Sequence, residues 1–400
     1  VGSAQVREAV IGDDNRAPTP AELRQMEALV EQAMQEGAFG ISSALIYPPN
    51  IYAQTTELIA LAKIAAKYHG IYATHMRSEG ASEIAALAEA LRIGREARLP
   101  VEVFHLKVSG RSRWGAMKNV VAIIQNARDS GLDIAADMYP YTAGLTALAA
   151  ALPPWAADGG PQQLLARLKD PQVRARIKKD LTTDHPDWEN LYFDVGGAPG
   201  ILIAEVDNQA LRPFEGKTLV QVALAWKKTP MDTLMDFVLA DNAQTSAIYA
   251  MANEQDLRTG LAQPWTSIGL DAGEMSLDGP TYRPHTHPRA FGSMPRFLGH
   301  YARDGHLLPL EAAIRKITSL PAQRTHLAER GLLKPGYFAD ITIFDPTRII
   351  DHATYSKPDQ LSEGIDYTIV NGQIVYDHGK LTAATPGHFL RGPGWRPPGN

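Results

Sequence analysis

Apolar positions along the first third of the chain alternate between a helical and an extended rhythm. Thr19-Pro20-Ala21-Glu22 reads as a capping box with proline at the first helical position. Leu23, Met26, Leu29, Val30, Ala33 and Met34 follow at helical spacing until Gly37. An apolar run over 39–47 comes next and ends in Pro48-Pro49. The cycle then repeats as helix 56–68 and strand 71–74, helix 82–97 and strand 101–104, helix 116–130 and strand 132–137. Short β-branched strands alternating with amphipathic helices predict parallel βαβ units buried on both faces.

Polar or aromatic residues close these strands. They are Tyr47, His75, His105 and Asp137, separated by 28, 30 and 32 positions. One βαβ unit takes roughly thirty residues, so the spacing places all four at the C-terminal rim of one sheet, where (β/α)8 barrels carry their chemistry. An open doubly wound sheet would call for a glycine-rich nucleotide turn; neither G-x-G-x-x-G nor G-x-x-x-x-G-K-[ST] occurs, which favours the barrel. Residues 1–147 are therefore expected to hold the first four βα units. The rhythm breaks over 148–218, with Pro153-Pro154-Trp155, Gly159-Gly160, a charged helical stretch (163–181) and a strand-like 201–206, a pattern expected of an insertion or lid. Over 219–330 the barrel pattern resumes with a helix at 219–239 and strands at 246–251 and 266–271. That makes six strands where a closed barrel needs eight. Alternating residues after 331, with Asn371-Gly372 as a type I′ hairpin signal, predict a small antiparallel unit over 331–400.

Composition narrows the class. The 400 residues carry 44 acidic and 39 basic side chains, without a basic stripe dense enough to track a phosphate backbone, so nucleic acid is not an expected partner. No stretch is long and apolar enough to span a bilayer, no signal-peptide pattern opens the chain, and there are no cysteines. The expectation is a cytoplasmic protein with a small-molecule substrate.

His75 and His105 at matching ends of consecutive strands suit a metal ion, since neutral imidazoles converging on one point are ligands for Zn²⁺. The other histidines, among them His69, His287 and His300, read as surface or helix-end residues. Asp271 closes Ser267-Ile268-Gly269-Leu270 and stands as a metal ligand, a general base or a turn residue. Lys107 shares a strand face with His105 and reads either as a point charge for a substrate anion or as a solvated loop lysine. Arg289 could clamp a carboxylate bidentately or sit in an ordinary loop. Tyr47 could donate its phenol to the same anion or cap the barrel.

The segments Gly37-Ala38-Phe39-Gly40-Ile41-Ser42-Ser43-Ala44-Leu45-Ile46-Tyr47-Pro48-Pro49, Thr74-His75-Met76-Arg77-Ser78-Glu79 and His105-Leu106-Lys107, in this order, resemble the N-acyl-D-amino-acid deacylase (D-aminoacylase) family of the amidohydrolase superfamily. So do Pro153-Pro154-Trp155-Ala156, His287-Pro288-Arg289, Arg315-Lys316-Ile317-Thr318-Ser319-Leu320-Pro321-Ala322 and Gly336-Tyr337-Phe338-Ala339-Asp340. The resemblance implies an α/β fold, a TIM-like (β/α)8 metal-dependent amidohydrolase barrel with an insertion and a small C-terminal β-sandwich. It implies zinc-dependent hydrolysis of N-acyl-D-amino acids to a D-amino acid and a carboxylate. His75 and His105 would be the two zinc-binding histidines, and Asp271 the aspartate that deprotonates the metal-activated water and protonates the leaving nitrogen. Lys107, Arg289 and Tyr47 would hold the substrate's α-carboxylate.

Two departures stand out. The family's Ser-Asp-Gly is Leu270-Asp271-Ala272 here, and the stretch from Asp271 to Arg289 is longer than usual. No His-x-His precedes His75, and the family's zinc-ligating cysteine has no counterpart. With Val1 in place of a methionine and six strands counted, the chain reads as the larger C-terminal portion of a deacylase, without the N-terminal β-segment and first two barrel strands. An N-terminal segment or a second chain would then complete the barrel. The rival expectations are a relative acting on cyclic amides or other N-acyl compounds, and a non-catalytic subunit that kept the fold.

Overall fold

The computed structural model describes residues 1–397. Four strands, β1 (Gly40–Ala44), β2 (Ile71–His75), β3 (Val101–Val103) and β4 (Ile134–Met138), pair in parallel in that order. Helices Thr55–Lys67, Glu83–Ala97 and Met117–Asp129 carry the chain from each strand to the next. Val101, Val103, Ile134 and Ala136 are completely buried within this sheet. The capping box forms as read: Glu22 N–H donates to Thr19 Oγ1, and Thr19 N–H donates to the Glu22 carboxylate at 2.7 Å. Glycine at position 40 answers a close approach, since a Cβ there would lie 2.1 Å from the Ile71 carbonyl oxygen on β2.

Three strands then leave this sheet. β5 (Gly144–Ala147), β6 (Ile201–Ile203) and β7 (Ser246–Tyr249) form an antiparallel sheet in the order β5-β7-β6. β8 (Thr266–Ile268) returns to the parallel sheet beside β4, giving the order β1-β2-β3-β4-β8. The described residues thus contribute five parallel strands, not six. The strand expected in the barrel at 246–251 is β7, and it belongs to the small sheet. A four-residue run such as Ser246-Ala247-Ile248-Tyr249 fits either sheet, and the partners available to it decide. The expected helix over 219–239 is two, Leu219–Trp226 and Pro230–Ala240, with Pro230 opening the second. Both pack with β6 and β7 into a second apolar core that includes Leu148, Ile201, Leu234, Phe237 and Tyr249, separate from the core around the parallel sheet.

The tail is a four-stranded antiparallel sheet of β9 (Ile341–Phe344), β10 (Ile365–Val370), β11 (Gln373–Asp377) and β12 (Lys380–Leu381), ordered β12-β11-β10-β9. Asn371 and Gly372 join β10 to β11 with φ of 47° and 81°, the left-handed pair that the I′ turn needs. Among the described residues no helix is long and apolar enough to cross a membrane.

One ion pair ties the first helix, Ser3–Ile11, to the helix after β1. Arg7 is fully buried and its Nη1 donates to both Glu57 oxygens at 3.0 and 2.8 Å, while Nη2 donates to the carbonyls of Asp14 and Arg16. Arg7→Met leaves Glu57 buried without a partner and is expected to cost about 3–5 kcal/mol. The double substitution Arg7→Met/Glu57→Leu is expected to recover most of it, read as the midpoint of thermal unfolding. A single variant no less stable than the double one refutes this account.

Candidate active site

The C-terminal ends of the parallel strands converge on one cavity of about 300 Å³. β2 delivers His75 as its last residue, and His105 follows two residues after β3. His105 has a left-handed backbone, φ 36°, where the chain turns out of the sheet. Its N–H donates to Asp137 Oδ1 on β4 at 2.8 Å, and the next N–H, of Leu106, donates to the Asp137 carbonyl at 2.8 Å. The neighbouring strand therefore holds the turn that aims the imidazole.

His75 Nδ1 lies 3.0 Å from His105 Nε2. The other nitrogen of His105, Nδ1, lies 3.0 Å from Glu79 Oε1, and Lys107 Nζ donates to both Glu79 oxygens at 2.7 and 2.9 Å. Glu79 is 2% exposed and Lys107 7%. Burial works against both charges, yet each holds the other ionised: Lys107 and the two histidines keep Glu79 well below the usual carboxylate range, and Glu79 raises Lys107. Burial pushes His75 down to about 3, so its imidazole is neutral at pH 7 with lone pairs to give. Its Nε2 is buried and has no hydrogen-bond partner. One ligand atom each from His75, Glu79 and His105 lies within 4.8 Å of the others, a nitrogen and carboxylate set that fits a divalent metal. His105 Nδ1 faces Glu79 Oε1 and Lys107 Nζ, at 3.0 and 2.6 Å, and its Nε2 is the nitrogen turned toward His75.

All six residues singled out in the sequence, Tyr47, His75, His105, Lys107, Asp271 and Arg289, line this cavity. Tyr47 shares a 2.7 Å hydrogen bond with Thr146 on β5. Asp271 follows β8 with φ 49°, and its Oδ2 lies 2.7 Å from Arg289 Nη1. Arg289 is 3% exposed, stacks its guanidinium 4.7 Å from the Tyr139 ring centre, and donates through Nη2 to the Leu145 carbonyl at 3.3 Å. Its Nε makes no hydrogen bond, and Nη1 faces only the Asp271 carboxylate. Lys107 faces the cavity with its charge committed to Glu79, so Arg289 is the cation with donors to spare.

Three residues emerge that the sequence reading passed over. Glu79 was quoted within a motif but given no role; its only local sign is its place four residues after His75. Glu189, in the expected insertion, accepts the Glu79 N–H at 2.7 Å through Oε2, while its buried Oε1 has no partner. Burial, with Glu79 and Asp194 close by, pushes Glu189 up to about 8. His287, expected at the surface or a helix end, is instead 1% exposed among Tyr139, Tyr141 and Tyr355. Its Nε2–H donates to the Ala143 carbonyl at 2.9 Å and its Nδ1 accepts the Arg289 N–H at 3.0 Å, so it anchors the arginine. No period marks a histidine buried by a loop. His69 and His300 are exposed, as expected.

Comparison with known proteins places this geometry. The sequence profile of the amidohydrolase family matches residues 2–376. The D-aminoacylase of Alcaligenes xylosoxydans xylosoxydans is 35% identical over 390 residues, which are 98% of this chain and 69% of that protein. The N-acyl-D-aspartate deacylase of the same organism is 33% identical over 392 residues, 98% of this chain and 67% of the relative. Among solved structures, the N-acyl-D-glutamate deacylase of Bordetella bronchiseptica, complexed with zinc and a phosphonate mimic of the tetrahedral intermediate, superposes with a TM-score of 0.78 at 30% identity. That match covers 97% of this chain and 70% of the other.

If His75, Glu79 and His105 act together on a metal, calorimetric titration with divalent first-row ions should show about one tight site per chain. Glu79→Ala and His105→Ala should each weaken it by about 10–100-fold or more. Undiminished binding in both variants would place the ion elsewhere.

Proposed function

The chain belongs to the amidohydrolase family, within its N-acyl-D-amino-acid deacylases, metal-dependent hydrolases of C–N bonds; from that premise we propose that it cleaves N-acyl-D-amino acids to a D-amino acid and a carboxylate. The observation that carries the reading is the juxtaposition, in one cavity, of the His75–His105–Glu79 donor set with the Asp271–Arg289 ion pair.

Zn²⁺ held by His75, His105 and Glu79 would polarise the amide carbonyl and bring the pKa of a water toward about 7. Arg289, with Nε unspent and Nη1 on Asp271, receives the α-carboxylate in a fork. That carboxylate takes the position Asp271 now fills on Arg289, and Asp271 is released toward the scissile bond. Asp271 accepts a proton from the attacking water, whose oxygen bonds to the acyl carbon. The same carboxyl then returns the proton to the amide nitrogen as the C–N bond breaks, so one group serves as base and acid in turn. Lys107 adds positive potential without leaving Glu79, and the Tyr47 phenol, steadied by Thr146, closes the wall beside the carboxylate. With the carboxylate and the N-acyl arm fixed, the cavity wall around the side chain chooses between the two hands of the α-carbon.

Asp271→Asn is expected to lower kcat for N-acetyl-D-leucine by about 10²–10⁴ with zinc content unchanged by elemental analysis. Loss of zinc in that variant would make Asp271 a ligand instead. Arg289→Gln is expected to raise KM for the same substrate by at least about tenfold while sparing N-acetyl-D-leucinamide, which has no carboxylate. Equal losses on both substrates would remove Arg289 from carboxylate binding.

A further inference from the structure

The antiparallel sheet of the tail does not keep to itself. Between β9 and β10 the chain leaves it over 345–364, and the contacts of this connection fall on the segments that hold Arg289. Asp351, 7% exposed, accepts the Tyr141 hydroxyl at 3.0 Å and faces Arg296 Nη1 at 3.5 Å, in the helix that Arg289 opens. Gly292 in that helix admits the approach: a Cβ there would lie 2.8 Å from the Asp351 Cβ and against the Tyr141 hydroxyl. Asp359 accepts the hydroxyl of Tyr282, in the loop between Asp271 and Arg289, at 2.8 Å.

Tyr355 reaches furthest toward the site. Its ring meets the His287 ring edge-on, with centres 5.3 Å apart, and its hydroxyl accepts the Ala143 N–H at 3.1 Å. Ala143 is thereby held at both polar groups, its N–H by Tyr355 and its carbonyl by His287 Nε2–H. His287 Nδ1 accepts the Arg289 N–H, and Leu145, two residues after Ala143, accepts Arg289 Nη2. Backbone and tip of the arginine are thus placed by bonds that converge on 143–145. A phenyl ring alone would fill the space beside His287; the hydroxyl is what pairs the Ala143 N–H, a donor costly to leave unmade in a residue 5% exposed.

We infer that Tyr355 is a positioning residue for the carboxylate clamp, acting on Arg289 through Ala143 and His287, and that the 345–364 connection makes the tail part of the substrate site. The inference rests on the deacylase reading for what Arg289 binds, and on the geometry alone for the brace.

Tyr355→Phe keeps the ring against His287 and takes the acceptor from the Ala143 N–H. On the zinc-loaded chain it is expected to raise KM for N-acetyl-D-leucine about three- to tenfold, the worth of one hydrogen bond, and by more than it lowers kcat. The inhibition constant of N-acetyl-D-leucinamide, which has no carboxylate, should stay within about twofold. Equal weakening of both compounds is the mark of a structural role and overturns the inference, as does an unchanged KM or an effect carried by kcat alone. Hydrogen exchange gives a readout without turnover. The Ala143 and Arg289 amides of Tyr355→Phe should exchange about tenfold faster or more, while those of β2 and β3 keep their rates. An Arg289 amide that exchanges as before refutes transmission through His287. Failure of the unaltered chain to cleave N-acetyl-D-leucine would count against the deacylase reading, while the exchange rates still decide the brace.

Discussion

Glu79 is the group on which the site depends. A carboxylate 2% exposed at the end of a parallel sheet is unfavourable on its own, and it is kept there by Lys107, by His105 and by a backbone bond in which the Ser109 N–H donates to the Glu79 carbonyl at 2.6 Å. Glu189 accepts its N–H from the opposite side. Removing either partner of such a pair strands a buried charge at a cost of about 3–5 kcal/mol, which makes the arrangement nearly all-or-none. The consequence is geometric. Glu79 can satisfy Lys107 and His105 together only if the loops after β2 and β3 are both in place, so the two histidines are presented as a unit and not as independent side chains.

The second core gives the site its far wall. β5 brings Leu145 and Thr146 to the cavity, where one supplies the carbonyl for Arg289 and the other the hydroxyl for Tyr47. β5 is in turn held by β7 and by the Tyr249 hydroxyl, which donates to the Ala147 carbonyl at 3.1 Å. The loop before β5 accepts from His287 at Ala143, and the Tyr355 hydroxyl accepts the Ala143 N–H. Residues 143–147, just before the expected insertion, thereby fix both the arginine and the phenol on the cavity wall.

What could be read from the chain follows from what has a period. The helix–strand alternation over 20–138 repeats every thirty residues or so, and the repeat itself put Tyr47, His75, His105 and Asp137 on one rim; Asp137 proves to be there for the backbone of His105. Four apolar residues at 246–249 carry no sign of which sheet will take them, and β7 went to the antiparallel one. Glu79, Glu189 and His287 were illegible for another reason. Charged and imidazole groups in loops look solvated until the fold buries them, and their burial here results from long-range pairing, 28 residues to Lys107, 110 to Glu79 and 144 to Ala143. Resemblance to a family named the motif containing Glu79, but only the geometry assigns it a task.

The backbone adds a final constraint. His105 and Asp271, two of the residues that line the cavity, both have positive φ, at 36° and 49°, although neither is glycine. A non-glycine residue in such a conformation costs on the order of 1–3 kcal/mol and persists only where surrounding bonds over-determine it. For His105 those bonds are the two hydrogen bonds to Asp137. For Asp271 the partner is Arg289, itself locked by His287 and stacked on Tyr139. The two sites differ in a useful way. The turn at His105 is held from the neighbouring strand by Asp137. The Asp271 side chain is held by the arginine that substrate would claim. On the proposed reading, a carboxylate arriving at Arg289 would do more than bind: it would exchange with the Asp271–Arg289 contact, so the group proposed as base would be the group whose hold the substrate replaces.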